Sequence, residues 1–256
     1  MKNDDIEARM RELEWFHDLR VIPAAWPVIR VDGRSFTRLS DQHFDRPFDL
    51  RFHAMMVRAA EALVAELHAV FAFTESDEIS VLLPADTDLF DREVEKLVSI
   101  SAGVASACFS LELGAPAHFD SRVWVGPTAR HVVDYFRWRQ SDAGRCCLNG
   151  WCYWTLRKEG RSVREATEAL AGLGFAEKNE LLFARGVNFN DLPLWQKHGT
   201  GVYWQTVERS GFNPVTQQAT TAVRKRMHVD EELPRGDAFA DLVSRLVAGA
   251  LRTGED

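Results

Sequence analysis

The feature that most constrains this chain is the order in which its hydrophobic period changes between Trp26 and Val125. Residues 26–31 read as a short buried strand carrying Val28, Ile29 and Val31. From a capping Asp49 to about Ala69, the residues Phe52, Met55, Met56, Ala59, Leu63 and Leu67 recur at helical spacing. Residues 70–74 and 79–83 are apolar strand runs separated by an acidic knot, Glu75-Ser76-Asp77-Glu78. A second helical stripe (Val94, Leu97, Val98, Ser101, Val104, Ala105 and Cys108) spans 90–113, and residues 118–125 close the series as a strand. Strand, helix, strand, strand, helix, strand is the order of a ferredoxin-like (βαββαβ) split βαβ module, and it predicts an α+β fold.

The flanks predict less regular structure. Residues 4–20 read as a helix (Ile6, Met10, Leu13, Phe16) ended by Pro23, and a polar loop with His43, Arg46 and Pro47 follows the first strand. Asp86, Asp88 and Asp91 lack the glycine and terminal glutamate of a calcium loop and read as a loop with a helix cap. Beyond residue 125 the pattern gives helices at 128–141, 148–158, 163–170 and 177–184, a hairpin of strands 199–208 and 220–229, and an amphipathic helix at 238–251. The chain therefore divides into a first module with its N-terminal helix, residues 1–125, and a mostly helical appendage with a β-hairpin, residues 126–256, packed as one unit with it.

Charge and cysteines bound the function. A net charge of −7 argues mildly against broad affinity for nucleic acid, but local surfaces steer polyanions. Arg137, Arg139, Arg145, Arg157, Lys158, Arg161 and Arg164 share a window whose acids are Asp142 and Glu159, and Arg224-Lys225-Arg226 is a second basic cluster. No apolar run approaches the ~20 residues that cross a bilayer, so no membrane partner is expected. The acidic start, Met1-Lys2-Asn3-Asp4-Asp5, has no hydrophobic signal region. Cys108, Cys146, Cys147 and Cys152 show neither a disulfide framework nor a matched zinc-ligand pair, which fits a reducing cytoplasm.

The chemistry comes from two short stretches. Asp32 ends the first strand and is followed by Gly33, which lets a backbone or phosphate come close. Asp77 sits in the turn between the second and third strands. In a split βαβ sheet the first and third strands are antiparallel neighbours, so both carboxylates fall at one end of the sheet. Adjacent carboxylates repel unless a cation lies between them. A hard cation with oxygen ligands, Mg²⁺, removes that cost, and two such ions ~4 Å apart would clamp an in-line displacement at phosphorus. Extended backbone would turn Glu78 to the face opposite Asp77, which makes it a poorer metal ligand than Asp77; Asp32, Asp77 and Glu78 are the catalytic candidates.

These stretches resemble the tRNA-His guanylyltransferase family, the 3′-to-5′ nucleotide polymerases. The matching pieces are Arg30-Val31-Asp32-Gly33-Arg34-Ser35-Phe36, Glu75-Ser76-Asp77-Glu78-Ile79-Ser80, Phe119-Asp120-Ser121-Arg122-Val123, Trp138-Arg139-Gln140-Ser141-Asp142 and Lys178-Asn179-Glu180-Leu181-Leu182-Phe183. The resemblance covers roughly residues 5–230. It implies a polymerase-palm-like catalytic module, a homotetramer (a dimer of dimers), two Mg²⁺ ions, GTP and ATP as substrates, and addition of nucleotides to the 5′ end of tRNA. A 5′-monophosphate end would first be activated by ATP or GTP, or a triphosphate end used directly. The 3′-hydroxyl of the incoming nucleotide would then attack.

Position by position, the resemblance implies Asp32 and Asp77 as side-chain metal ligands and Gly33 as a carbonyl ligand. Gly33, Arg34, Ser35, Phe36 and Thr37 would cradle a nucleoside triphosphate, with Ser76 beside it and Arg92 and Lys96 on its phosphates. Arg137, Arg139, Arg145, Asn149, Lys178 and Asn179 are the candidate RNA contacts. One segment departs from the pattern. Members that guanylate tRNA-His read His-Ile-Asn-Asn-Leu-Tyr-Asn after Trp-Arg-Gln-x-Asp, whereas Gly144-Arg145-Cys146-Cys147-Leu148-Asn149-Gly150 keeps only Leu148 in register. This form is similar to the bacterial and archaeal like-protein branch, which is associated with templated repair of 5′-truncated tRNA. Two rival readings use the same residues: a palm-fold nucleotide cyclase in signalling, and a non-catalytic RNA-binding protein.

Overall fold

The computed structural model describes residues 3–213 and 218–252. Its centre is a six-stranded antiparallel sheet in the order β4-β1-β3-β2-β5-β6. The strands are β1 (Trp26–Gly33), β2 (Phe71–Glu75), β3 (Glu78–Leu82), β4 (Phe119–Gly126), β5 (Thr200–Asn213) and β6 (Gln218–Asp230). Two helices from the first half, α3 (Leu50–Glu66) and α4 (Val94–Leu113), connect β1 to β2 and β3 to β4; a shorter helix, α2 (Phe36–His43), precedes α3, and α1 (Asn3–Arg11) opens the chain. The second half supplies α5 (Ala129–Lys158), α6 (Val163–Leu170), α7 (Phe175–Phe183), α8 (Leu194–His198) and α9 (Asp237–Arg252).

The period-two alternation of β1 sorts its side chains between two layers. Ile29 and Val31 join Leu63, Ile79, Leu97 and Phe109 in the core under α3 and α4. Trp26 and Val28 join Phe71, Tyr135, Phe136 and Phe239 under α5 and α9. A third cluster, with Cys147, Cys152, Leu156, Ala166 and Leu182, packs the far half of α5 on α6 and α7. Local signals set the helix ends. The Asp49 carboxylate accepts from the Arg51 backbone N–H at the start of α3, Ser162 and Glu165 form a capping box on α6, and Gly114 ends α4 in the left-handed region.

Several expectations need correction. The helix expected at 4–20 stops at Arg11, because Leu13, Phe16 and Leu19 are more than half exposed and find no packing to extend it. The loop after β1 contains α2, held down by buried Phe36 and Ser40. The two helices expected at 128–141 and 148–158 are one 30-residue helix; Ala143, Cys147 and Leu148 are buried, and a Cβ on Gly144 would already lie 3.4 Å from the Lys197 carbonyl. The hairpin is longer than expected and continues the sheet, with β5 pairing β2 at Phe71–Tyr203. Finally, α4 is long and apolar enough to cross a membrane by length and composition alone, which no run was expected to be. Here it lies on the sheet through Leu97, Ser101, Ala105 and Phe109, and Ser101 Oγ and Ser121 Oγ are 2.8 Å apart.

Candidate active site

The end of the sheet where β1 stops and the β2–β3 hairpin turns brings Asp32 and Asp77 together. Asp32 stands opposite Glu78 in the register, and the Gly33 N–H donates to the Asp77 carbonyl at 2.9 Å. The hairpin is closed by Ser76 and Asp77 alone, and Ser76 takes a left-handed φ of 48°. Its hydroxyl donates to the Asp77 carboxylate at 3.1 Å. Burial, and then the nearby Asp32 charge, hold the Asp77 carboxyl above the usual carboxylate range. Among the described residues no three His, Cys, Asp or Glu side chains gather to hold a metal. The donors present are two carboxylates and backbone oxygen, a set that fits a hard cation and whose repulsion a cation would relieve.

Gly33 is required by a close approach rather than by its φ. A Cβ there would meet the Phe36 ring at 2.5 Å. That ring is held by packing against Phe119 at 4.7 Å, Phe109 at 5.1 Å and Phe52 at 6.0 Å between centroids, so moving it is costly. Phe36 is therefore a core anchor, and only its backbone is available to a ligand. The anchor fixes the turn into α2, where the Arg34 N–H donates to the His118 carbonyl at 2.8 Å and Ser35 is left-handed at φ 62°. The first N–H groups of α2 have no partner within the helix, which suits them to an anion.

Glu78 has a different occupation from the catalytic one expected. Arg139 donates to both of its oxygens, at 2.7 and 2.9 Å, and also to Glu75 at 2.9 Å and Asp142 at 3.2 Å. A carboxylate saturated by a guanidinium is not free to move a proton, so Glu78 belongs to the scaffold. For the same reason Arg139, whose side chain is 7% exposed, is not an RNA contact. Burial pushes Glu75 up to about 8, partly offset by the Arg139 charge.

Beside Asp77 lies a cavity of about 210 Å³. Thr37, Ser76 and Asp77 line it together with Arg46, Asp49, His53, Trp154 and Trp195, five residues that no sequence motif assigned to the site. Arg46 donates to the Thr37 carbonyl at 2.8 Å and to Asp41, and stands 5.2 Å from the Trp154 ring. His53 stacks on Trp195 at 4.1 Å and is 3.0 Å from a Glu231 carboxylate oxygen.

Comparison with known proteins decides the family. The tRNA-His guanylyltransferase profile matches residues 7–127, and the profile of the Thg1 C terminal domain matches residues 130–237. The chain belongs to the tRNA-His guanylyltransferase family. It is 34% identical over 229 residues to the tRNA(His) guanylyltransferase of Debaryomyces hansenii, covering 82% of this chain and 86% of that protein. A probable tRNA(His) guanylyltransferase of Dictyostelium discoideum is 34% identical over 221 residues, covering 80% and 85%. Among solved structures, a bacterial tRNA(His) guanylyltransferase-like protein in complex with ATP superposes with a TM-score of 0.73 at 25% identity, over 94% of this chain and 99% of that one. The Saccharomyces cerevisiae tRNA(His) guanylyltransferase superposes with a TM-score of 0.67 at 29% identity, over 74% and 90%. The chain is thus a nucleotidyltransferase of a family that adds nucleotides to tRNA in the 3′-to-5′ direction.

Not every residue implied by that family gathers at this end of the sheet. β3 leads away from Asp77, with Leu82 opposite Val28. α4 starts from that end, and its Val94 N–H donates to the carbonyl of Leu19, in the segment before β1, at 2.8 Å. Arg92 and Lys96 are therefore at the opposite end of the sheet, and Lys96 is 2.9 Å from the Glu93 carboxylate. The candidate RNA contacts also divide. Arg137, Arg145 and Lys178 line a groove of about 1020 Å³ between α5, α7 and α8, to which Lys197 and Arg235 add further cations. Among the described residues no acidic side chain lines that groove. Asn149 is exposed elsewhere on α5, and the Asn179 amide is turned back to the Phe175 carbonyl at 2.9 Å.

Proposed function

We propose that this chain is a Mg²⁺-dependent enzyme that extends the 5′ end of tRNA with GTP, ATP and other nucleotides, and that templated repair of truncated ends is its main reaction. The observation carrying the reading is the paired end of the sheet, Asp32 and Asp77 beside a glycine that a packed phenylalanine ring forbids any side chain to replace. Asp32, Asp77 and the Gly33 carbonyl would hold the metal, which when bound lowers the pKa of a nucleotide hydroxyl and takes up leaving-group charge. The turn from Gly33 to Thr37 aims backbone N–H groups at a triphosphate, and the adjoining aromatic cavity has the size and rings to take a nucleobase. The reaction forms a bond between the nucleotide 3′-oxygen and the 5′ phosphorus and releases pyrophosphate or a nucleoside monophosphate.

The basic groove on the other side of α5 would carry RNA phosphates, whose contacts position without reading sequence. Gly144, Arg145 and Leu148 stand in its wall, within the segment that departs from the pattern of tRNA-His members. Cys146 and Cys147 of the same segment line the cavity beside Asp77 instead, and their thiols cannot reproduce the amide donors and acceptors of that pattern. Pairing with a template base across the acceptor stem supplies the missing positioning. The exposed run Leu13, Trp15, Phe16, Leu19 and Ile22 supports assembly with further copies of the chain, as in a tetramer.

The experiment compares initial rates on a tRNA lacking its first nucleotide, with each of four template bases, against full-length tRNA-His. Rates that follow the complementary nucleotide at every template base support the reading. Addition of G alone, to full-length tRNA-His whatever base lies opposite, refutes the repair preference. A cyclic nucleotide made from GTP or ATP without any acceptor would identify a cyclase instead.

A further inference from the structure

We propose that Arg139 is a positioning residue for the metal-binding end of the sheet: its guanidinium ties both strand ends of the β2–β3 turn to α5 and so fixes Asp77 against Asp32. The inference rests on the metal-dependent reading above. Glu75 and Glu78 are register partners at the mouth of the turn, with only Ser76 and Asp77 between them. One side chain holds both, at 2.9 Å to Glu75 and 2.7 and 2.9 Å to Glu78. The arginine is itself fixed by Asp142 at 3.2 Å on its own helix and by the Trp138 ring 4.6 Å away.

Neighbouring cations complete the cluster, since Arg30 stands 3.7 Å from Glu78 and Arg145 is paired with Asp142. Three carboxyl groups, those of Glu75, Glu78 and Asp142, thus meet three cations. The clamp also explains how the turn keeps its shape. A left-handed serine persists only where its surroundings over-determine it. Here the determinants are the fork of Arg139 on the two flanking residues and the Gly33 N–H on the Asp77 carbonyl. A lysine in place of Arg139 retains the charge but cannot bridge two carboxylates in a fixed plane. The loss would pass to Asp77 as a change of carboxylate position, without a change in charge.

The test is Mn²⁺ binding to the full chain, read by the EPR signal of free Mn²⁺, alongside thermal melting. The parent should bind Mn²⁺ and Asp77→Ala should not. Arg139→Lys should melt near the parent yet bind Mn²⁺ about tenfold or more weakly, the size of effect that follows loss of the groups supporting a metal site from outside its ligands. A triple variant, Arg139→Gln with Glu75→Gln and Glu78→Gln, removes the stranded charges and keeps hydrogen-bonding amides; it should be weakened in the same way. If either folded variant binds within about twofold of the parent, Arg139 serves stability alone and the proposal is overturned. Should Arg139→Lys fail to fold, the triple variant decides. A parent that binds no Mn²⁺, or an Asp77→Ala variant that binds like the parent, removes the metal reading and this inference with it.

Discussion

The two sides of α5 carry the same kind of residue to different ends. Arg139 faces the sheet and is consumed by Glu75, Glu78 and Asp142, all within 3.2 Å. Arg137 and Arg145, two and six positions away, face a groove with Lys178, Lys197 and Arg235 and, among the described residues, no lining acid. Arg145 does touch Asp142, and Arg137 comes within 3.6 Å of exposed Asp237, but both stay about half exposed or more. A run of arginines in a sequence says nothing of function until its partners are known. A buried guanidinium with carboxylates is scaffold, whereas a half-exposed one beside other cations is left with charge to give to a ligand.

The comparison is broken most severely at the carboxylates. Asp32→Ala should abolish nucleotide addition while leaving a folded chain, because Asp32 is partly exposed and its removal relieves repulsion on Asp77. Activity at the parent rate would contradict its place at the centre. Next in size is Gly33→Ala. Its methyl must displace the Phe36 ring, so we expect a loss of ~1–3 kcal/mol in denaturant melts and a misplaced β1–α2 turn. A variant as stable as the parent would mean that the ring moves freely.

A smaller effect sharpens the other side. Arg137→Ala should weaken tRNA binding and lower the slope of log K against log salt by ~0.7–0.9, the value for one lost phosphate contact. An unchanged slope would place the RNA elsewhere. Smallest is Asp49→Ala, which removes the cap of α3 and should cost ~1 kcal/mol near neutral pH. Its hydrogen bond to Arg51 holds the Asp49 carboxyl at about 2, below its ordinary 3.8. The cap's contribution is therefore complete above pH 3.8 and lost as pH falls toward 2, so the stability curves of parent and variant should converge there.

What could be read from the sequence was what topology controls. Asp32 and Asp77 met because strand order alone brings the end of β1 to the β2–β3 turn. The roles of Glu78 and Arg139 were misread, and the packing of the Phe36 ring went unseen, because each depends on a partner far away in the chain. Glu78 and Arg139 satisfy each other, and Phe36 is claimed by Phe109 and Phe119. Arg92 and Lys96 were carried over from the family pattern, although β3 leads the chain to the other end of the sheet. The continuity of α5 was hidden by Gly144 and Gly150, whose cost is offset by tertiary packing. Trp195, Lys197 and Arg235 reach their cavities from the second half, and no local pattern announces them.

The central claim is that chemistry belongs to the end of the sheet and RNA holding to the groove. It is tested most directly by single-turnover extension of a 5′-truncated tRNA over a range of tRNA concentrations, with the parent, Asp77→Ala and Lys178→Ala. The account predicts no extension by Asp77→Ala at any concentration, and a Lys178→Ala rate that reaches the parent's once tRNA saturates. Extension by Asp77→Ala at saturating tRNA, or a Lys178→Ala rate that stays low however much tRNA is added, would contradict it.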